Sequence, residues 1–174
     1  MKNLGKKAKN VKLFVMDVDG VLTDGKIIYD SEGREIKQFH VHDGLGIKLL
    51  RNVGIKTAII TSRDSFPVEK RARELKIDFL YQGVKNKLAI LDKIREELFL
   101  SFEEILYIGD DLVDLPVLKR VGFPVSVPSA PDIVKKICIY ITEKNGGEGA
   151  VRETAELVLR LRDEFDEAIE EYTK

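Results

Sequence analysis

A chain of 174 residues with 44% hydrophobic composition can bury one full core but is short for two independent ones. Its 29 basic and 30 acidic residues nearly cancel, so no global field recruits nucleic acid or an anionic membrane surface. No apolar run approaches the roughly 18 residues of a membrane span, and behind the basic opening MKNLGKKAKN the run Leu13 to Met16 is too short for a signal peptide. A soluble, cytoplasmic, single-domain protein is expected.

In chain order, the first apolar run is VKLFVM, residues 11–16, which leads straight into the acidic stretch DVDGVLTDG. GKIIYDSEGREIKQFHV, residues 25–41, has two strand-like halves around Asp30-Ser31-Glu32-Gly33, a turn composition that predicts a projecting β-hairpin. A helix is expected from about Asp43, with Leu45, Leu49 and Val53 on one face and Gly54 at its end. The run IKTAII follows, then a helix over 65–76 that tolerates Pro67 in its first turn. DFLY is the third strand-like run, and Leu88, Leu91, Ile94 and Leu98 mark the next apolar helix face.

Ser101 and Glu104 have capping-box spacing ahead of the strand-like run EILYIG. A helix over Asp111 to Val121 is closed by Gly122, FPVSV and CIYIT complete the strands, and a last helix spans about Gly149 to Tyr172. The single cysteine, Cys138, has no intramolecular disulfide partner, and its neighbours Ile137, Ile139 and Ile141 predict an inert core thiol. Short β-branched runs alternating with helices predict an α/β fold, a doubly wound parallel sheet with helices on both faces.

In such folds ligands sit at the carboxyl ends of the strands. Asp17 and Asp19 follow the first strand, Thr61, Ser62 and Arg63 follow IKTAII, and Asp110, Asp111 and Asp114 follow EILYIG. Carboxylates converging on one crevice repel one another unless a cation neutralises them. With oxygen donors alone, and no His or Cys at ligand spacing, Mg²⁺ fits better than zinc. A carboxylate nucleophile, a hard cation and Thr and Lys side chains for phosphate oxygens are the parts of a phosphoryl-transfer site. Taken singly, Asp-x-Asp-Gly could be an ordinary turn and Gly-Asp-Asp an ordinary helix cap.

Together, in order and spacing, these residues resemble the haloacid dehalogenase (HAD) superfamily of phosphatases over residues 11–114. DVDGVLTDG matches its DxDGxLT motif, the apolar run ending in Thr61 in AIITSR the second, Lys87 in YQGVKNK the third, and GDDLVD the GDxxxD form of the fourth. The resemblance implies a Rossmann-like HAD sheet with Asp17 as nucleophile and Asp19 as acid/base, the Asp19 backbone carbonyl also facing the metal. It implies Asp110 as metal ligand, Asp111 and Asp114 as nearby support, and phosphate held by Thr61, Ser62, Lys87 and the amides of Gly20 and Val21. Lys85 competes for the third motif, and Lys87 is preferred because it opens a helix.

The hairpin, one helix and one strand fill the chain between Asp17 and Thr61, and the elements from Thr61 to Lys87 fill the next interval, so neither leaves room for a cap domain. FHVHDGLGIK, residues 39–48, and NGGEGAVRE, residues 145–153, extend the resemblance to the 3-deoxy-D-manno-octulosonate 8-phosphate phosphatases, capless homotetramers, over nearly the whole chain. That resemblance implies hydrolysis of this sugar-acid phosphate for lipopolysaccharide synthesis. It places His40, Val41, His42, Asp43, Gly44, Lys48, Arg63 and Arg71 near substrate. Arg152 would reach a neighbouring subunit on a tail that covers that subunit's site. Lys48 and Arg71 are equally compatible with exposed helix charges, and GGEGA with a hinge. The alternatives are a phosphatase for another sugar-acid phosphate, such as a nonulosonate 9-phosphate, and a non-catalytic assembly module of the same fold. A response-regulator receiver is disfavoured because it would be phosphorylated after its third strand, not its first.

Overall fold

The computed structural model describes residues 2–174. Its elements in chain order are α1 (Lys2–Asn10), β1 (Leu13–Met16), the hairpin strands β2 (Ile28–Tyr29) and β3 (Glu35–Ile36), α2 (Val41–Asn52), β4 (Lys56–Ile60) and α3 (Phe66–Leu75). Then follow β5 (Phe79–Tyr81), α4 (Lys87–Glu97), β6 (Ile105–Ile108), α5 (Leu115–Leu118), β7 (Phe123–Ser126), α6 (Asp132–Lys135), β8 (Tyr140–Ile141), α7 (Ala150–Leu161), α8 (Phe165–Ala168) and α9 (Glu170–Thr173).

All six apolar runs enter one parallel sheet in the order β5-β4-β1-β6-β7-β8. β1 lies at its centre, with Leu13 opposite Lys56 on one side and Ile105 on the other. Leu13, Phe14, Val15 and Met16 are all buried, which is why this strand reads as a continuous apolar run without alternation. From β1 the chain steps outward through β4 to β5, then returns across β1 to β6 and continues to β8. That reversal opens a crevice at the carboxyl ends of β1, β4 and β6. Right-handed crossovers put helices on both faces: α2 and α1 pack with α7 on one, and α4 packs with α5 on the other.

Several helices differ from expectation. α2 begins at Val41, and its buried face is carried by Ile47, Leu49 and Leu50 with Gly44 and Gly46, while Leu45 and Val53 are half-buried. Close packing on α7 explains the shift, since a Cβ on Gly46 would stand 2.9 Å from the Arg152 Cα. The helix expected over 111–121 is a 3-10 turn, Leu112–Asp114, followed by the single turn of α5. Asp114 turns inward at the junction and Pro116 sits in the first turn of α5, where its missing N–H is harmless. The helix expected over 149–172 ends at Leu161, because Asp163 adopts a left-handed conformation (φ 62°) and the Arg162 guanidinium is tied to the Val11 carbonyl at 2.8 Å and to Glu164. Helices α1 and α6 were not signalled by the apolar pattern; α1 is mostly polar and buries Ala8. Cys138 is half-buried just ahead of β8, not inside a strand as its neighbours suggested, and burial pushes its thiol up to about 12.

The hairpin forms, with only two residues per strand and Tyr29 opposite Glu35. Its turn is built by Asp30, whose carboxylate accepts the N–H groups of Glu32 and Arg34 at 2.9 Å, and by Gly33 at φ 79°.

The glycine-rich stretch 145–153 lies against the loop after β1 of its own chain. The Gly147 N–H donates to the Val21 carbonyl at 3.0 Å, and a Cβ on Gly146 would stand 1.8 Å from the Gly20 carbonyl oxygen. These glycines are therefore required for backbone-to-backbone packing beneath the crevice, in addition to any role as a hinge. Replacing Gly146 with Ala must displace that loop, and we expect a loss of about 1–3 kcal/mol of stability. Gly5→Ala, in α1 with nothing within 4 Å of the added methyl, is expected to be neutral or stabilising. Thermal unfolding of the two variants checks the contrast.

Candidate active site

The loop after β1 is organised by one carbonyl. The Val18 oxygen accepts N–H groups from Val21 at 3.2 Å, Leu22 at 2.9 Å and Thr23 at 3.0 Å, closing a tight turn that leaves Asp17 at the strand end. Gly20 has φ 84°, and a Cβ there would stand 2.0 Å from Asp110 Oδ2, so only glycine lets this loop reach the loop after β6.

The Asp17 carboxylate is held at both oxygens. Oδ1 accepts the Val18 N–H at 2.7 Å, and Oδ2 pairs with the Lys87 ammonium at 2.7 Å. Lys87, the first residue of α4, is buried and lies 2.7 Å from Asp114 Oδ1 as well. Asp114 is saturated: Oδ1 also accepts the Tyr107 hydroxyl at 2.6 Å, and Oδ2 accepts the N–H groups of Asp110 at 3.0 Å and Asp111 at 3.2 Å. Gly109 makes room for it, since a Cβ there would stand 2.6 Å from the Asp114 Cγ. Lys85 is exposed, so Lys87 is the lysine that the fold delivers to the site.

Asp17, Asp110 and Asp114 each offer an oxygen within 4.8 Å of the others. Burial, repulsion by Asp114 and partial compensation by Lys87 bring Asp17 up to about 6. Burial and the repulsion of Asp17, Asp114 and Asp111 bring Asp110 up to about 7. With the oxygens of Asp114 engaged, Asp17 and Asp110 are left to face a hard cation, and their mutual repulsion is what such an ion would relieve. The residues fit the metal expected from the sequence.

Asp17, Asp19, Thr61, Ser62, Arg63, Asp110 and Asp111 all line one cleft of about 250 Å³. Thr61 is buried, with its N–H and carbonyl engaged by Tyr81 and Val84, which aligns the end of β4 toward Asp17. Asp111 caps the 3-10 turn and stays exposed at the rim. Val21 departs from expectation, because its N–H is turned into the loop toward Val18 and its carbonyl toward Gly147.

Residues 80–153 match the haloacid dehalogenase-like hydrolase family. The 3-deoxy-D-manno-octulosonate 8-phosphate phosphatase of Escherichia coli K12 is 43% identical over 162 residues, 93% of this chain and 86% of that protein. The crystal structure of the Moraxella catarrhalis phosphatase of the same name, in complex with magnesium, phosphate and KDO, superposes with a TM-score of 0.96 at 46% identity, covering 99% of both chains. The cobalt-bound form of the Haemophilus influenzae phosphatase is 38% identical, with a TM-score of 0.88 over 91% of this chain and 93% of that one. The chain belongs to the 3-deoxy-D-manno-octulosonate 8-phosphate phosphatase family.

The remaining residues that the family resemblance assigned to substrate are not gathered in the cleft of the single chain. Asp43 is buried, and its carboxylate accepts the Arg152 N–H at 2.8 Å, capping the first turn of α7. The Arg71 guanidinium passes close over Gly44, where a Cβ would stand 2.6 Å from it. Arg71 lines a neighbouring cavity of about 380 Å³ with Lys37, Phe39, Phe66 and Lys70. His40 and His42 stack edge to face with centroids 5.0 Å apart, and His40 Nδ1 is buried without a hydrogen-bond partner. Val41 is exposed beside them.

Lys48 and Arg152 lie outside the cleft of the single chain, each in an ion pair. Lys48 pairs with Glu171 at 2.9 Å and lies over the Tyr172 ring, and the Arg152 side chain pairs with Glu156 at 2.6 Å. Both are drawn off by acidic residues of the C-terminal helices. Sequence reasoning missed Glu35 and Lys37, whose signal was two charges of opposite sign at strand spacing on the hairpin, and Tyr107, whose signal was a phenol inside the apolar run ILYI.

The raised carboxyls of Asp17 and Asp110 make metal binding a proton-release reaction. At pH 8 both are ionised; as pH falls through about 7 and then about 6, an incoming cation must displace first one proton and then two. Mg²⁺ affinity is therefore expected to fall by about tenfold per pH unit for each proton displaced. The same sign applies to folding, because these carboxyls bind protons more tightly folded than unfolded. Their destabilising effect is present above about 7 and lifts as pH falls toward the ordinary value of 3.8. Mg²⁺ should accordingly raise the melting temperature most at pH 8 and least at pH 5, which calorimetric titration and thermal unfolding measure together.

Proposed function

We propose that this protein hydrolyses 3-deoxy-D-manno-octulosonate 8-phosphate to the free sugar acid and phosphate, in the supply of lipopolysaccharide precursors. One observation carries the chemistry: Asp17, at the end of the central strand, has a carboxylate oriented at both oxygens by the Val18 N–H and Lys87, inside a cleft shared with Asp19, Asp110 and Thr61. Full-length likeness to phosphatases of that name supplies the substrate.

Asp17, Asp110 and the backbone carbonyl of Asp19 would hold Mg²⁺, which when bound offsets negative charge on the phosphate and on its attacker. An Asp17 carboxylate oxygen attacks phosphorus in line with the sugar C8 oxygen. As the P–O bond to the sugar breaks, Asp19 gives its proton to the departing alkoxide. Asp19 then takes a proton from water as the water oxygen attacks the phosphoaspartate; the bond from phosphorus to Asp17 breaks, and phosphate leaves with the nucleophile restored. Lys87, Thr61, Ser62 and the Gly20 amide hold the phosphoryl oxygens, with Val21 shaping that loop from behind. Arg63 at the cleft and Arg71 with His40 to Gly44 beside it offer planar or polar groups for the sugar carboxylate and hydroxyls.

The molecule reads as one capless domain over residues 1–174 that acts as a homotetramer. The hairpin supports this, because it presents Ile27, Tyr29 and Ile36 at 53%, 59% and 45% exposure, next to Phe66 at 74%. A second copy covering that surface would supply the enclosure that a cap supplies elsewhere. A cytoplasmic setting is supported by the single inert cysteine and by the absence of any helix among the described residues long and apolar enough to cross a membrane.

Phosphate release from a panel of sugar phosphates with Mg²⁺ tests the reaction. We expect preference for the octulosonate 8-phosphate over nonulosonate 9-phosphates, and loss of more than about 10³-fold in Asp17→Asn. No turnover on any member would favour an assembly module, and retained activity in Asp17→Asn would reject the nucleophile. For the assembly, Ile28→Glu combined with Ile36→Glu, the opposed pair on the outer face of the hairpin, is expected to shift the mass measured by light scattering from four chains toward one or two. An unchanged mass rejects the hairpin contact.

A further inference from the structure

We propose that Lys37, on the hairpin, is a positioning residue that holds the Asp19 carboxylate in the orientation needed for proton transfer; this rests on the reading of Asp19 as acid/base. Lys37 directly follows β3, on an element otherwise exposed, yet its side chain is only 1% accessible. It is ion-paired to Asp19 Oδ1, and it lies 3.4 Å from Glu35 Oε1. A lysine taken out of water at the root of a surface hairpin is unfavourable unless paired and hydrogen-bonded. Here it is paired twice.

The partners are themselves fixed. Glu35 accepts hydrogen bonds from Arg63 Nη2 at 2.9 Å and from the Ser65 hydroxyl, and the Ser65 N–H is held by Gln82 Oε1 at 3.0 Å. Arg63 Nε stands 3.8 Å from the other Asp19 oxygen, and the Thr23 hydroxyl reaches Oδ1 at 3.4 Å. Asp19 and Glu35 against Lys37 and Arg63 form a balanced set, separate from the set around Lys87.

Asp19 needs such a clamp more than Asp17 does. Asp17 is 8% accessible and ties its own carboxylate to the next N–H, whereas Asp19 is 24% accessible and has only a long contact from Thr23 within its own loop. An acid/base must meet the leaving oxygen within hydrogen-bond reach, so freedom in its rotamers directly lowers the rate. Lys37 removes that freedom from the hairpin side.

The test uses the leaving group. The sugar C8 alkoxide needs a proton as it departs; 4-nitrophenolate does not. In Lys37→Met we expect kcat/KM for the sugar-acid phosphate to fall at least about tenfold, within the range general acid catalysis contributes, while kcat/KM for 4-nitrophenyl phosphate stays within about threefold. Inhibition by the dephosphorylated sugar acid should be unchanged. Lys37→Gln, which is shorter and uncharged but keeps an N–H donor group, should show an intermediate loss with the same substrate dependence, and it serves if the methionine variant does not fold. Equal losses on both substrates would mean that Lys37 only supports the fold. Weakened sugar-acid inhibition would mean that it recognises the carboxylate; either result overturns the proposal. Asp19→Asn is the reference: if it lacks the leaving-group dependence, the acid/base reading fails, whereas dependence in Asp19→Asn without it in Lys37→Met defeats the positioning role alone.

Discussion

The site depends on one buried ammonium. Lys87 lies 2.7 Å from both Asp17 and Asp114, in a cluster that also includes Asp110. Fully ionised, those three carboxylates against one lysine leave two negative charges uncompensated, which is the charge of one divalent cation. Removing the lysine would leave buried carboxylates without a counter-charge. Burial and the repulsion among these carboxylates together bring Asp17 up to about 6 and Asp110 up to about 7.

The backbone is shaped to hold this imbalance together. Gly20 and Gly109 each lie where a Cβ would collide with a carboxylate, of Asp110 and Asp114 respectively. The Gly146–Gly147 backbone packs under the first loop from the far end of the sequence. Elements distant in the chain are therefore brought into contact by the residue with no side chain, with Asp17 and Asp110 lining the cleft and Asp114 buried behind it. Tyr107 completes the arrangement from below, where its phenol, held far toward the neutral form by burial, donates to Asp114.

Much of this was legible in the sequence, for a physical reason. Parallel strands buried on both faces must be apolar throughout, so all six runs could be read, and the residues just after them had to share an edge. Asp17, Thr61 and Asp110 could be placed at that edge because they closely follow strands, whereas Lys87 opens α4 and Asp114 ends a 3-10 turn. What could not be read depends on which helix faces meet. Lys48 lies on α2, where Glu171 of the C-terminal segment pairs with it, and nothing local in LGIKLL announces that partner. The broken C-terminal helix has the same origin, since Arg162 is recruited by carbonyls at the end of α1, about 150 residues earlier.

The hairpin joins these two levels. Its period of two sends Glu35 and Lys37 inward to Arg63 and Asp19, with Tyr29 on the same face as Glu35, while the opposed pair Ile28 and Ile36 faces outward. One short antiparallel pair thus presents charge to the cleft and apolar surface to solvent. Two residues per strand are too few to be stable by pairing alone. Its inner anchor is the ion-paired set at Asp19, and its outer one would be the surface of another chain. On the proposed assembly, the covering of the hairpin by a second copy would bear directly on the Asp19 carboxylate, because Lys37 joins the two.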